Sequence, residues 1–152
     1  FGHGLSYTPV TWADAGLAGA AEWATDGTCE VFATLHNPGS RDGTEVVQLY
    51  LHDVAAEVVR PVRQLVAAAR VDVTAGGTRT VRFRLHADLT SFTGRAGRRI
   101  VEPGAVELLL AASSADVRAT VPLTLAGPRR ETGVDRVLQA EVIVERAAGT
   151  AD

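Results

Sequence analysis

An apolar residue at every second position is the feature of this sequence that most constrains its fold. Val81, Phe83 and Leu85 alternate with polar side chains over residues 80–86. Successive side chains of a strand point to opposite faces of a sheet, so this pattern predicts a half-buried strand. Similar patterns predict strands near residues 8–13, 28–36, 44–52, 70–74, 78–86, 98–102, 105–112, 117–125 and 138–145.

These short strands, with no convincing helical period between them, indicate an all-β sandwich or barrel. A length of 152 residues fits one domain, with a core large enough to fold without disulfides. We therefore expect an antiparallel β-sandwich of about seven core strands with extra strands at its ends. The Ala-rich segments 17–21 and 67–69 are interpreted as packed or capping segments.

Three segments rich in turn-forming residues separate neighbouring predicted strands. They are residues 37–43, 75–78 and 102–104, which contain Pro-Gly, Gly-Gly and Pro-Gly. Glycine and proline favour tight reversals. We therefore expect each segment to close a hairpin between the strands on either side of it.

Several residues outside the turns also carry structural expectations. Pro122 lacks the N–H that a central ladder needs, which favours an edge or a bulge near it. Leu109 interrupts an otherwise alternating strand and predicts contact with a second apolar surface. The predicted strand at 138–145 follows a polar connection and is expected to add to a sheet edge.

Charge and cysteine content exclude several classes of protein. A formal net charge of -3 is too small to favour nucleic acid or an anionic membrane as a partner. The single cysteine, Cys29, cannot form an internal disulfide, and its setting suggests a buried strand thiol. No basic segment leading into an apolar run is visible. The sequence leaves the compartment open, with the cytoplasm slightly favoured. The start at Phe1 suggests a longer polypeptide.

No pair of carboxylates in the sequence suggests glycoside hydrolysis by this chain. Such chemistry needs two carboxyl groups about 5 to 9 Å apart, one serving as the acid. The candidates lie on predicted strands, in a loop or in a turn, where solvated charge explains them better. They are Glu45, Asp72, Asp53, Glu57 and Glu102.

Histidines and serines offer no stronger site. His36, His52 and His86 each end a predicted strand and could gather at one rim, but no further ligand has suitable spacing. Ser113 and Ser114 lack the strand-turn-helix context of a nucleophile and indicate a capped turn. We therefore expect no catalytic residue, no metal-binding residue and no cofactor-binding residue in this chain, and no cofactor.

A free-standing immunoglobulin-like module that binds carbohydrate or protein is the alternative. Sugar-binding sites commonly present flat aromatic rings, and only Trp12 and Trp23 could serve as such platforms. Both lie among small apolar residues, which favours a role in the core or an interface. Arginines in two clusters are expected to contact a neighbouring domain: Arg60, Arg63, Arg70, Arg95, Arg98 and Arg99.

Ordered motifs give the sequence a resemblance to a known family. The segments are FGHGLSYT at the start, HNPGSRDGTEVVQLYL, RPVRQL and VEPGAVELLLAASSADVR. Together they resemble the C-terminal fibronectin type III-like domain of family 3 glycoside hydrolases, the β-glucosidases and β-xylosidases. The tail GPRRETGVDRVLQAEVIVE resembles an extension of some actinobacterial members. Local departures occur at residues 67–68, 75–77 and 92–94.

The resemblance implies a scaffolding role. In that family the catalytic carboxylates lie upstream, so none is carried onto this chain. The implied partners are the catalytic domains of the parent glycosidase, with homodimer contacts in some members, and loops 53–63 and 90–99 are long enough to approach an active site. The expected organisation is the end of a preceding glycosidase domain over 1–12, a β-sandwich over 13–126 and an extension over 127–152.

Overall fold

The computed structural model describes residues 9–54 and 63–146, which form strands and one short 3-10 helix, Ala87–Thr90. No helix among them is long and apolar enough to cross a membrane. The strands in chain order are β1 Thr11–Leu17, β2 Glu22–Ala24, β3 Thr28–His36, β4 Gly43–Asp53, β5 Gln64–Val73, β6 Thr78–His86, β7 Phe92–Thr93, β8 Arg99–Val101, β9 Gly104–Ser113, β10 Asp116–Ala126, β11 Arg130–Glu131 and β12 Glu141–Arg146.

Two sheets form the sandwich. One has the order β1-β3-β6-β12 and the other the order β2-β10-β9-β4-β5, while β11, β8 and β7 form a small third sheet. All pairings are antiparallel except that of β2 with β10. The predicted all-β antiparallel sandwich is confirmed.

One apolar core lies between the two large sheets, and the predicted alternation locates it correctly. The inward residues of β3 and β6, such as Val31 and Phe83, are fully buried. They share one cluster with residues of β4 and β9, such as Leu49 and Leu108. At about 25 cal/mol per Å² of buried apolar surface, this shared core is the main source of stability.

The three predicted hairpins are wrong. β3 pairs with β1 and β6, whereas β4 pairs with β5 and β9, so segment 37–43 carries the chain between sheets. Segments 75–78 and 102–104 do the same, because β5 and β6 belong to different sheets, as do β8 and β9. A turn signal indicates that the chain reverses, but it does not specify in which sheet the next strand lies.

The reversals that do stay within one sheet were not predicted as hairpins. Strands β9 and β10 pair from Ser113 opposite Asp116, leaving a connection of two residues. The Oγ of Ser113 accepts the N–H of Ala115 at 3.3 Å. The interpretation of Ser113 and Ser114 as a capped turn is thus confirmed.

Several strand positions differ from prediction, among them β12, which begins at Glu141 instead of residue 138, and the unpredicted short strands β7 and β11. β1 covers Thr11–Leu17 instead of 8–13, and β2 was not predicted. β5 begins at Gln64 instead of residue 70, so Ala67–69 are strand residues. Ala69 is buried in the core and Ala67 packs against it, which confirms the interpretation of this segment as packed. Alanine has low strand propensity, and here pairing with β4 decides the conformation.

Strand β10 has a bulge near its start, and the bulge changes which face of the sheet the side chain of Val117 lies on. Register shifts occur on both sides of Val117. Val117 consequently packs on the outer face of the sheet, with Tyr50 and Leu109, whereas Val121 faces the core. The predicted alternation from Val117 to Leu125 is therefore wrong for Val117. A bulge adds one residue to the strand, so a side chain before the bulge faces the opposite side of the sheet.

Pro122 and Leu109 occupy the environments that the sequence indicated. β2 pairs only with Thr124–Ala126, so Pro122 has β9 beside it but no described strand on its other side. Leu109 is 5% exposed and packs in a second apolar cluster with Tyr50 and Ala111. Both expectations are confirmed.

The last strand lies at a sheet edge, as expected. β12 pairs with β6 along its whole length, from Glu141 opposite Arg84 to Arg146 opposite Arg79. Residues 127–140, named here the connecting segment, lead to it from β10 and include the short strand β11.

Candidate functional site

The candidate carboxylates serve as partners within the sandwich. Asp72 accepts a hydrogen bond from the Thr44 hydroxyl at 2.6 Å, and this bond, with the nearby Arg70 cation, lowers the pKa of Asp72. Glu45 accepts the N–H of Val46 at 3.0 Å. Asp53 and Glu102 also have partners, and Glu57 lies outside the described residues.

The three strand-ending histidines do not gather at one rim. His36 and His86 lie at opposite ends of the β3–β6 pair, where Thr78 and Thr28 face them. At about 3.3 Å per residue, eight residues of strand separate them by roughly 26 Å. His52 lies in the other sheet, 3.2 Å from a carboxylate oxygen of Glu107. Among residues 9–54 and 63–146, no three possible metal ligands form a group.

The tryptophans support the structural interpretation. Trp23 is 1% exposed, and its indole N–H donates to the carbonyl of Gly27 at 3.1 Å. Trp12 is half-buried against the core, and the Arg118 guanidinium lies 5.8 Å from its ring centroid. Trp23 is therefore inaccessible to a ligand, and one face of Trp12 is occupied by a cation.

Members of both arginine clusters have partners within the chain. Arg98 forms an ion pair with Glu131 at 3.0 Å, and Arg99 donates to the hydroxyl and carbonyl of Ser91. Arg63 donates to the carbonyl of Ser114 at 2.8 Å. Arg60 and most of loop 53–63 lie outside the described residues. Loop 90–99 contains β7 and the start of β8.

Asp88 is the most buried charged residue in the described part of the chain. It was not identified as a candidate from the sequence. It lies in the 3-10 helix, with its side chain 8% exposed. Its carboxylate accepts hydrogen bonds from Arg130 and from the N–H of Val137, the latter at 2.9 Å. Burial opposes ionisation, but these two bonds and the nearby His86 and Arg130 outweigh it and lower the pKa of Asp88.

The contacts around Asp88 hold the connecting segment against the sandwich. Arg130 also donates through Nε to the carbonyl of Thr25 at 2.7 Å. The Thr25 hydroxyl in turn donates to the carbonyl of Pro128 at 2.9 Å. A buried carboxylate with this many internal donors is a structural centre. No signal in the sequence joins positions 25, 88 and 130.

A second charged network lies on the outer face of the four-stranded sheet. Arg82 bridges Glu30 and Glu145, each at 3.2 Å, and Arg84 bridges Glu30 at 3.4 Å and Glu141 at 3.6 Å. The hydrogen bond from Arg82 to Glu145 raises the pKa of Arg82. The network attaches β12 to β6 and β3.

Cys29 is a structural residue. It is 8% exposed, and burial raises the pKa of its thiol to about 12. It adjoins a shallow, open depression of about 540 Å³ that is also lined by Glu22, Glu30 and Arg84. At neutral pH the thiol is protonated, so it cannot serve as a thiolate nucleophile.

The outer face of the five-stranded sheet is more apolar than a solvated sheet face. Tyr50 and Gln48 are buried there and hydrogen bonded to each other, beside Leu109. Val46 and Leu65 follow on the same face and are 40% and 39% exposed. Exposed apolar residues that adjoin a buried cluster are typical of contact surfaces.

Comparison with known proteins agrees with this architecture. The model of the fibronectin type III-like domain family matches residues 45–114. A β-glucosidase of Rhizobium radiobacter is 40% identical over 126 residues, which are 82% of this chain and 15% of that protein. A putative β-xylosidase of Formosa agariphila is 31% identical over 79% of this chain and 16% of its own length.

This chain is a fibronectin type III-like domain related to those of family 3 glycoside hydrolases. Solved structures support the relationship. The β-glucosidase of Listeria innocua in complex with glucose superposes with a TM-score of 0.73 at 31% identity, over 84% of this chain and 17% of that one. A β-glucosidase involved in saponin metabolism from intestinal bacteria gives a TM-score of 0.75 at 34% identity, over 83% of this chain and 17% of that one.

The fibronectin type III-like domain therefore spans about one sixth of the proteins that it matches. It corresponds to one domain within larger glycosidases. The expected resemblance to the fibronectin type III-like domain of β-glucosidases and β-xylosidases is confirmed.

Proposed function

We propose that this fibronectin type III-like domain is a non-catalytic, structural part of a β-glycosidase that removes terminal β-linked glucose or xylose. The observation that carries the proposal is the pattern of coverage. Relatives named β-glucosidase and β-xylosidase match about four fifths of this chain, but the match uses only 15% to 17% of their own length. The catalytic domains of the same polypeptide are the proposed partners.

The engagement of the polar residues supports a structural role. Asp72 is paired with Thr44 of the neighbouring strand, and Glu45 accepts the backbone N–H of Val46. Asp88 is satisfied by donors from the connecting segment. These groups therefore stabilise the sandwich, and each would have to leave its partner to act on a substrate.

The outer face of the five-stranded sheet is the proposed contact surface for the catalytic domains. Val46 and Leu65 are exposed there beside the buried Tyr50 and Leu109. Burying such a patch against another domain is favourable by about 25 cal/mol per Å². Interfaces between domains of one chain commonly bury several hundred Å².

The test is a comparison of the isolated chain with the complete reading frame that contains it. We expect no turnover of an aryl β-glucoside or aryl β-xyloside by the 152-residue chain above buffer. In the complete protein, Trp23→Ala should lower the temperature of thermal inactivation, because it empties a buried core position. Val134→Ala, at a residue 99% exposed, is the matched control.

Two results would contradict the proposal. One is glycoside turnover by the isolated chain at a rate that scales with its concentration. The other is a reading frame that contains no glycosidase segment. The alternative binding module is tested by titrating cello- and xylo-oligosaccharides while the fluorescence of Trp12 is followed, and we expect no change.

A further inference from the structure

Strand β12 is the most exposed of the strands that span six or more residues. All of its residues are exposed except Ile143, which is half-buried. The core cluster of the described chain includes residues of β3, β4, β5, β6, β9 and β10 but none of β12. Strands with few buried apolar contacts are the parts of a fold that open most readily. The core therefore does not depend on side chains of β12.

Two valines of β12 cover the neighbouring core only in part. Val142 and Val144 pair with Phe83 and Val81 of β6. The valines are 39% and 47% exposed, whereas Phe83 and Val81 are fully buried. Because apolar burial stabilises in proportion to the area removed from water, each of these valines contributes less than a core valine does.

Two exposed ion pairs complete the attachment of β12 to β6. Arg82 pairs with Glu145 at 3.2 Å and Arg84 with Glu141 at 3.6 Å, and the two glutamates are 49% and 58% exposed. Ion pairs with that exposure are weak and are screened by salt. Both arginines also pair with Glu30 of β3, so each keeps a partner when β12 is away.

The chain is held in place shortly before β12 begins. The N–H of Val137 donates to the buried carboxylate of Asp88 at 2.9 Å. Residues 138–140 separate this bond from the first residue of β12 and belong to no strand. Leu138 is 66% exposed. A few residues outside the regular elements, between a fixed point and a weakly held strand, are where a hinge is expected.

We propose that β12 is a detachable strand, which opens and closes on the edge of β6 about a hinge at residues 138–140 while the sandwich stays folded. The ion pairs of Glu141 and Glu145 make the closed state sensitive to salt. In the open state the backbone groups of β6 that had faced β12 meet water, and Arg82 and Arg84 remain paired with Glu30. The bond from Val137 to Asp88 keeps the preceding residues in place.

Hydrogen exchange on the complete 152-residue chain tests the opening. Alternate N–H groups of a central antiparallel strand point to its two neighbours, so along residues 79–84 some face β12 and the others face β3. After correction for intrinsic rates, the groups facing β12 should exchange at least about 100-fold faster than those facing β3. The N–H groups of β12 that bond to β6 should exchange together with the faster set. Equal protection of the two sets along β6 would overturn the proposal.

A charge variant and added salt test the role of the ion pairs. Glu145→Gln removes the pair with Arg82, and we expect the groups facing β12 to exchange about two- to fivefold faster while those facing β3 are unchanged. Asp116→Asn is the matched control, because its carboxylate is 48% exposed and pairs with Arg118 in the other sheet. Raising the salt concentration from about 0.05 M to about 0.5 M should act on the wild type as Glu145→Gln does. Exchange that neither change alters would overturn the role of the ion pairs.

The N–H of Val137 locates the hinge. Its bond to Asp88 persists when β12 opens, so it should exchange more slowly than the groups of β6 that face β12. Exchange of Val137 together with β12 would place the hinge earlier in the chain and overturn its assignment to residues 138–140.

Discussion

Arg130 donates a hydrogen bond to the buried carboxylate of Asp88, which joins two residues that are 42 positions apart in the sequence. The pair connects β11 with the 3-10 helix Ala87–Thr90. The N–H of Val137 reaches the second oxygen of the same carboxylate at 2.9 Å. Two residues of the connecting segment, seven positions apart, are thereby attached to one side chain, which holds the segment that leads to β12.

Replacing this carboxylate should loosen the connecting segment. Asp88→Asn keeps the size of the side chain but removes the charge that pairs with Arg130, and it replaces one acceptor oxygen with a donor. We expect the free energy of unfolding to fall by about 1–3 kcal/mol, measured by urea denaturation. Asp72→Asn is the control and should lower the denaturation midpoint by less, because that carboxylate is 74% exposed and solvent screens its interactions with Thr44 and Arg70. Equal losses in both variants would contradict a special role for Asp88.

The lowered pKa of Asp88 makes stability dependent on pH in a defined direction. A carboxyl group whose pKa is lower in the folded state stabilises that state above its unfolded pKa, near 3.8. This contribution is lost as the pH falls through the folded value. The wild type should therefore lose more stability than Asp88→Asn as the pH falls from about 5 to about 2, measured by thermal unfolding at each pH. Parallel curves for the two proteins would contradict the assignment.

The sequence predicted the faces of the strands well but predicted their neighbours poorly. Alternation alone correctly places Val31 and Val81 in the core, because the side chains of the buried face recur at every second position of a strand. The connections from β3 to β4 and from β5 to β6 were assigned to hairpins, yet each crosses between sheets. Turn residues encode local backbone angles, whereas the choice of sheet depends on packing across the whole core.

The centre at Asp88 could not have been found from sequence patterns. Asp88 follows a strand in an unremarkable segment, and Arg130 lies in a polar connection that periodicity does not describe. Their proximity arises only after β6, β10 and β11 have assembled. The predicted alternation over residues 117–125 placed Val117 on the core face, and this was wrong for a related reason. A bulge in β10 shifts the register and turns Val117 to the outer face.

Burial should make Cys29 unreactive in the folded domain. The thiol is 8% exposed with a pKa of about 12, so both access and thiolate formation are suppressed near pH 8. The reaction with a disulfide reagent such as dithionitrobenzoate should be at least about 100-fold slower than in denaturant. A Val134→Cys variant, at a residue 99% exposed, supplies an accessible thiol for comparison. Fast labelling of Cys29 in the wild type would mean that β3 opens readily.

Gly77 should resist substitution because of the space around it. A Cβ built there lies 2.4 Å from the hydroxyl oxygen of Thr74 and 2.9 Å from the Thr74 carbonyl oxygen. The carbonyl of Gly77 accepts the N–H of the buried Asn37 at 3.0 Å, so displacing this turn would also disturb the crossing after β3. We expect Gly77→Ala to lower the free energy of unfolding by about 1–3 kcal/mol.

Two further variants separate steric from general effects at this turn. Gly16→Ala is the matched control, because its nearest neighbouring atom is 4.0 Å away. It should be neutral or stabilise by up to about 1 kcal/mol, since alanine restricts the unfolded chain. In a Thr74→Ala background, Gly77→Ala should still destabilise, because the backbone carbonyl at 2.9 Å is retained. Full rescue by Thr74→Ala would show that the hydroxyl alone, a group free to rotate, causes the conflict.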